Sequence, residues 1–355
     1  MFTFEKKLTM RFPLIIISFL VLISCDPNFS KEFSSVSIER VFTDSLSIRA
    51  IEPMSTDKVW FAANNGRVGF IDKGTPKLAT IKYEDSLLNF RAISSIKDAV
   101  FVLSIENPGV LYKIGFNESE ATNIEEVYTE KGEKVFYDAI KFWDEKEGIA
   151  MGDPTNGCLS IIVTRDGGNN WTKLSCDALP PIVSGEAAFA ASNSNISVYK
   201  NHSWIVTGGK KARVFYSADR GINWEVFDTP IIQGKSMTGI YSVDFINNKT
   251  GIIFGGDWEQ QEFNEGNKAI TNDGGKTWSL ISNGEGPGYR SSVRFVPGTN
   301  GNDIVAVGSP GISYSNDGGD SWFELSDEGF YAIEFVNDTL AFASGRNKIS
   351  RLVFK

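Results

Sequence analysis

A chain of 355 residues is long enough for two ordinary domains or one large repeat ring. Its composition favours the ring: charged residues are 22%, Gly (34) and Phe (26) are abundant, and no long stretch carries the 3.6-residue apolar period of an amphipathic helix. A net charge of -9 argues against a general nucleic-acid binder, which needs a broad basic face.

At the N-terminus, Lys6, Lys7 and Arg11 flank an apolar run over residues 12–23. A run this short with basic flanks reads as a secretory signal rather than a membrane span, the alternative being a buried strand. The sequence Leu22-Ile23-Ser24-Cys25 resembles a bacterial lipobox. That resemblance implies a signal peptide over residues 1–24, lipidation of Cys25, and a membrane-anchored protein of the bacterial cell envelope facing periplasm or cell surface. The polar residues 26–35 read as a tether, and 36–355 as one domain.

Two β-rich units come next, at about 46–81 and 90–128, with residues 59–63 and 99–104 as their second strands. After them an octad occurs four times: TRDGGNNW at 164–171, SADRGINW at 217–224, TNDGGKTW at 271–278 and SNDGGDSW at 315–322. Each reads [S/T]-x-D-x-G-x-x-W and joins two runs of β-formers, so it is a hairpin turn. The Asp (166, 219, 273, 317) accepts N–H groups of its own turn, the Gly takes positive φ, and the Trp (Trp171, Trp224, Trp278, Trp322) covers the turn. The tryptophans lie 53, 54 and 44 residues apart, the period of a four-stranded propeller blade. Working outward, the first strand ends in aliphatic-x-Phe at 140–142, 243–245, 293–295 and 333–335, and the second runs into a glycine turn. The box-bearing blades fall at about 136–176, 186–228, 238–281 and 289–325. Three strands remain at the C-terminus, and residues 36–42 supply a fourth. The expectation is an all-β, seven-bladed propeller of four-stranded antiparallel blades, closed by pairing the chain ends, which removes an open edge.

The octads resemble the Asp-box (BNR-type) repeat of sialidases, sortilin-like receptors and the photosystem II stability/assembly factor-like proteins, the last sharing the layout over nearly the whole mature chain. The resemblance implies that the boxes are structural, and that the protein binds another protein, a nascent or membrane-embedded one, as an assembly scaffold. Related bacterial lipoproteins are sometimes labelled oxidoreductase.

Topology separates two faces, and a ligand is expected on the one opposite the boxes, where second-to-third-strand and blade-to-blade connections converge. The residues expected there are Arg49, Arg91, Asp138, Glu186, Tyr241, Arg290 and Tyr331, leading the first strands, with Asp153 and Asp257 following second strands. Arg49-Ala50-Ile51 and Arg91-Ala92-Ile93 are equivalent in neighbouring blades. Two converging guanidiniums either clamp a carboxylate or acidic peptide, or pair internally with acids such as Asp138 and Glu186. Residues 257–267, with Trp258 and Phe263, form a recognition loop or a solvated connection. A sialidase-type glycosidase would recruit Arg49, Arg91, Arg290, Tyr241, Glu186 and Asp153, but the element leading its arginines is at best Phe90-Arg91-Ala92-Ile93. An oxidoreductase has neither a G-x-G-x-x-G nor a redox C-x-x-C to rest on. With one histidine, His202, a multi-histidine metal site is excluded. No cofactor is called for, and a monomer is expected. With Cys25 set aside, Cys158 and Cys176 stand at the ends of the first box hairpin, either as a cross-strand disulfide or as two small apolar fillers.

Overall fold

The computed structural model describes residues 1–5, 30–118 and 120–355. Cys25 and the apolar run before it lie outside the described residues. Among the described residues from 36 onward, the regular structure is antiparallel β-strand apart from a one-turn 3-10 helix at Cys176–Ala178. The strands form a β-propeller whose blades have four antiparallel strands, ordered from axis to rim.

Burial grades along each blade and explains the sequence pattern. Second strands such as Ala99–Ser104, and the third strand Cys158–Thr164, are buried throughout, because a neighbouring blade covers each face. They therefore read as continuous apolar runs rather than alternating ones. At the rim, Thr75–Thr80 is exposed throughout. Apolar packing between blades holds the ring together: Trp204 of the fourth blade stacks on Phe245 of the fifth at 3.6 Å and 7°. Fully burying one such aromatic contributes about 1.5–3 kcal/mol, so seams of this kind dominate stability.

The strands gather into six sheets of four or more strands, not seven separate ones. The reason is the continuity of two long strands. Val36–Ser55 pairs over residues 36–47 with the C-terminal strand Leu340–Phe354, then over 48–55 with Lys58–Ala63 of the first blade. One six-stranded sheet thus contains both chain ends and the first blade. In the same sheet Ala332–Phe335 pairs with residues 341–344, so the three strands at the C-terminus and the N-terminal one close the ring together.

Two further expectations are corrected. Residues 30–35 do not hang free as a tether. The Lys31 N–H donates to the Asp303 carboxylate at 3.2 Å, and the Phe33 ring packs 5.1 Å from Tyr314 and 5.2 Å from Phe354. An apolar ring at 33 has more to gain from that seam than from water. In the fourth blade, the first strand is Ile196–Tyr199, ten residues later than the 186 start. Glu186–Ala187 instead pairs with Gly208–Gly209, and this pair continues the fifth blade's sheet inward. The approach requires glycine: a Cβ on Gly239 would lie 2.3 Å from the Cα of Gly208.

Candidate functional site on the loop face

The Asp boxes define one end of the ring. In each box the Ser or Thr hydroxyl donates to Asp Oδ1 and accepts the N–H of the box glycine, at 2.8–3.0 Å. The N–H before the Trp also donates to Asp Oδ1, and that residue's side chain (Asn170, Asn223, Thr277, Ser321) donates to Oδ2. Each indole N–H closes the turn on the carbonyl of the box glycine, at 2.9–3.2 Å. Burial works against ionisation of Asp166, Asp219, Asp273 and Asp317, but these donors together hold all four carboxyls below the usual range. Every donor is local, so the box is a self-contained turn. The boxes also bond the turns between first and second strands, as Gly167 does with Lys146 and Gly274 with Lys249, which sets both at the same end. A disulfide joins Cys158 and Cys176 across the first box hairpin.

The axis carries two features that a reading of the sequence passed over. At the box end, the middle residues of the aliphatic-x-Phe triplets meet: Lys141, Asp244, Arg294 and Glu334 line a cavity of about 280 Å3. Glu334 accepts Arg294 Nε and Nη2 at 2.9 and 2.6 Å and lies 3.4 Å from Lys141 Nζ. Burial raises its pKa, yet the Arg294 and Lys141 charges outweigh that and hold it at about 2. The signal was present, since charges of both signs alternate at one repeat position.

The second feature fills the channel. Residues 188–195 (AFAASNSN) run inside the ring, with residues 190–195 buried. Asn193 Nδ2 donates to the Ile93 carbonyl at 2.6 Å and its Oδ1 accepts the Ile140 N–H at 3.0 Å. Ser192 Oγ donates to the Ser291 carbonyl at 2.6 Å, and the Ser194 carbonyl accepts the Val243 N–H at 2.9 Å. One short segment therefore bonds to the second, third and fifth blades and to the lead-in of the sixth. From residue 190 on, small side chains are what the narrow axis admits, and the Asn193 and Ser192 side chains satisfy backbone atoms that a wider channel would leave to water.

The expected ligand residues divide on this basis. Arg49 and Arg91 do converge, but onto the plug: Arg49 Nη1 donates to the Ala191 carbonyl at 3.1 Å and Arg91 Nη1 to that of Ala190 at 3.4 Å. The Arg49 guanidinium also lies 4.1 Å above the Tyr331 ring. Burial depresses the Arg91 pKa, the Arg49 charge adds to that, and Glu106 and Asp138 oppose it. Four of the others are spent on internal contacts. Glu186 is buried and takes Arg213 in a two-point pair at 3.0 and 2.6 Å, with Thr207 Oγ1 at 2.7 Å. Arg290 is buried against Ser313 and Glu324. Tyr241 donates its hydroxyl to the Met237 carbonyl at 3.0 Å and stacks on Phe189 at 4.0 Å. Buried Asp257 accepts from Lys235 Nζ at 3.3 Å and from the Glu259 N–H at 2.9 Å. Buried groups pair in this way because an unpaired charge off the water is costly. The residues a glycosidase would recruit thus meet no common substrate position. His202 bonds Tyr216 through Nδ1 at 2.8 Å, and no cluster of three or more metal-ligating side chains is found among the described residues.

Asp138 and Asp153 remain. Asp138 is fully buried and neither carboxylate oxygen has a hydrogen-bond partner. Burial raises its pKa far above normal, the Asp153 charge adds to this, and Arg91 offsets part. Asp153 accepts the Ala188 N–H at 2.8 Å, and burial pushes its carboxyl up to about 6. It stands on the wall of the main groove of this face, about 810 Å3, between the Glu106 and Asp153 turns of the second and third blades and the connection through Ile182 and Gly185.

Residues 269–280, around the third box, match the model of the BNR/Asp-box repeat. The chain is a β-propeller that carries an Asp-box repeat. This propeller is similar to the solved structure "YCF48 bound to D1 peptide", with a TM-score of 0.64 at 13% identity over 91% of this chain and 98% of that one. It is similar also to YCF48 from Cyanidioschyzon merolae (TM-score 0.57, 16% identity, 90% and 98% covered) and to the RRP9 WD40 repeats (0.60, 12%, 90% and 98%). At such identities the likeness is one of fold. No curated protein sequence matches the chain.

Proposed function

We propose that this propeller is a binding scaffold that holds an extended segment of another protein on the face opposite the Asp boxes. The observation carrying the reading is the pairing of an open groove of about 810 Å3 with a filled channel behind it. A ligand can lie across this face and has no axial pore to thread. Grooves of this size between rigid loops suit a peptide. The structural neighbour bound to a peptide lends support, as does the commitment of Glu186, Tyr241 and Arg290 to internal contacts, which speaks against a glycosidase. No redox chemistry is assigned.

The reading includes a lipid anchor at Cys25 and a place in the cell envelope, supported by the basic start, the apolar run and the lipobox-like Leu22 to Cys25. It also includes a count of seven four-stranded units, taking the sheet that holds both chain ends as two. That count is supported by the change of partner after Ser47, which pairs with Arg346 of the C-terminal strand, to Ile48, which pairs with Ala63 of the first blade.

Ser184 is exposed on the groove wall, so Ser184→Trp fills the groove without touching the core. In a crosslinking pull-down from native membranes, the wild type should enrich a discrete protein partner and the Ser184→Trp variant should lose it. Equal recovery by both, or no partner with either, overturns the scaffold reading. Anchoring is checked separately, since Cys25→Ala should move the protein to the soluble fraction.

A further inference from the structure

The groove has a charge, and the charge has an unmet demand beneath it. Of its lining residues, Glu106, Glu133, Asp153 and Glu186 are acidic and Lys134 alone is basic. Glu186 is already neutralised by Arg213. Asp153 Oδ1 is taken by the Ala188 N–H, while Oδ2 has no hydrogen-bond donor among the described residues. Asp138, in the field of Asp153 and Arg91, is wholly buried with both oxygens unpartnered. A buried carboxyl without donors is costly to ionise beside another carboxylate, which favours the neutral form of Asp138 and leaves Asp153 as the one of the pair to carry charge. The cationic neighbour, Arg91, gives Nη1 to the plug. The floor and sides are apolar at Val135, Phe136, Ile182 and Ala187.

We propose that the groove recognises a cationic side chain, Arg or Lys, of an extended partner segment, with Asp153 as the acceptor and Glu106 and Glu133 on the same wall adding to the negative field. This inference rests on the peptide-binding reading and names its ligand chemistry. An aliphatic stem lies against Val135 and Ile182 while its charged head reaches Asp153, the arrangement long cations adopt at half-apolar walls. A guanidinium adds fork geometry that matches a carboxylate. An acidic segment would face Glu106, Glu133 and Asp153 together, and like charges at close range are rejected.

The test is selection of random twelve-residue peptides displayed on phage against the intact folded domain, followed by fluorescence anisotropy of the selected peptides. The selected set should carry Arg or Lys at one fixed position. Replacing that residue by Gln, or making Asp153→Asn, should weaken binding about tenfold, the loss of one charge-assisted hydrogen bond. Asp153→Asn keeps an acceptor for the Ala188 N–H, and an unchanged melting temperature shows that the fold survives. Peptides without a required cation, or bound equally by Asp153→Asn, overturn the inference and leave the peptide-binding reading standing. Failure to select any peptide overturns both.

Discussion

The two blades without Asp boxes and the four with them solve the same hairpin in different ways. In the first two blades the outer strand is long, six residues at Thr75–Thr80 and eleven at Glu120–Glu130. The first is reached through a two-residue turn whose Lys73 and Gly74 both have positive φ. Each residue of that outer strand is secured by the ladder. In the boxed blades the outer strand shrinks to between two and four residues. There the turn is held by a carboxylate taking local donors and by an indole locked to a carbonyl. Side-chain bonding in the turn has replaced backbone pairing at the rim. A short outer strand also presents less unpaired edge, whereas the long exposed one at 120–130 guards itself with Glu120, Glu125 and Glu126.

If boxed hairpins depend on their turns, damage there should cost more than damage in a boxless turn. The largest effect is expected at the third blade, whose box hairpin is also closed by the Cys158–Cys176 disulfide across 18 positions. The Cys158→Ala, Cys176→Ala double variant should lose about 3 kcal/mol, read from urea unfolding. A loss below 1 kcal/mol would mean that the box alone holds the hairpin. Next, Asp273→Ala leaves the Thr271 hydroxyl, two N–H groups and the Thr277 hydroxyl without their acceptor. By analogy with a removed helix cap it should cost about 1–2 kcal/mol and several degrees of melting temperature. Gly74→Ala in the boxless turn meets no atom within 4 Å and pays only for positive φ, about 1 kcal/mol or less. Equal effects at 273 and 74 would erase the distinction. The smallest effect is in acid. The box carboxyls ionise at lower pH folded than unfolded, so their contribution is present above the unfolded value of about 4 and is lost as pH falls through the folded values. Asp219→Asn should make stability fall less steeply below about pH 4 while leaving the slope above pH 5 unchanged.

How much of this was legible follows from the same contrast. A box is eight consecutive residues whose bonds close within four positions, so sequence displays both the motif and its chemistry. The aliphatic-x-Phe triplets were equally visible, although the charges at their centres acquire meaning only once Lys141, Asp244, Arg294 and Glu334 face one axis. The plug was not legible. Residues 187–191 are apolar, small except for Phe189, and satisfy a strand as well as a coil. What fixes them is Asn193 meeting Ile93 and Ile140, 100 and 53 positions away. That misplacement made Glu186 look like a channel residue, when its carboxylate is closed on Arg213. The equivalence of Arg49 and Arg91 was visible, and the plug carbonyls they meet were not, because carbonyl acceptors on a plug leave no trace in composition.

The central claim is that the loop face, and not the box face, meets the partner. Val183, 43% exposed beside Ile182 and Ser184 of the groove wall, and Ile222, 66% exposed within the second box, are surface positions on opposite faces. A photo-crosslinking amino acid placed at each in turn, in the full-length protein in its native membrane, should give a discrete protein adduct at 183 and none at 222. An adduct at 222 with none at 183 would contradict the account.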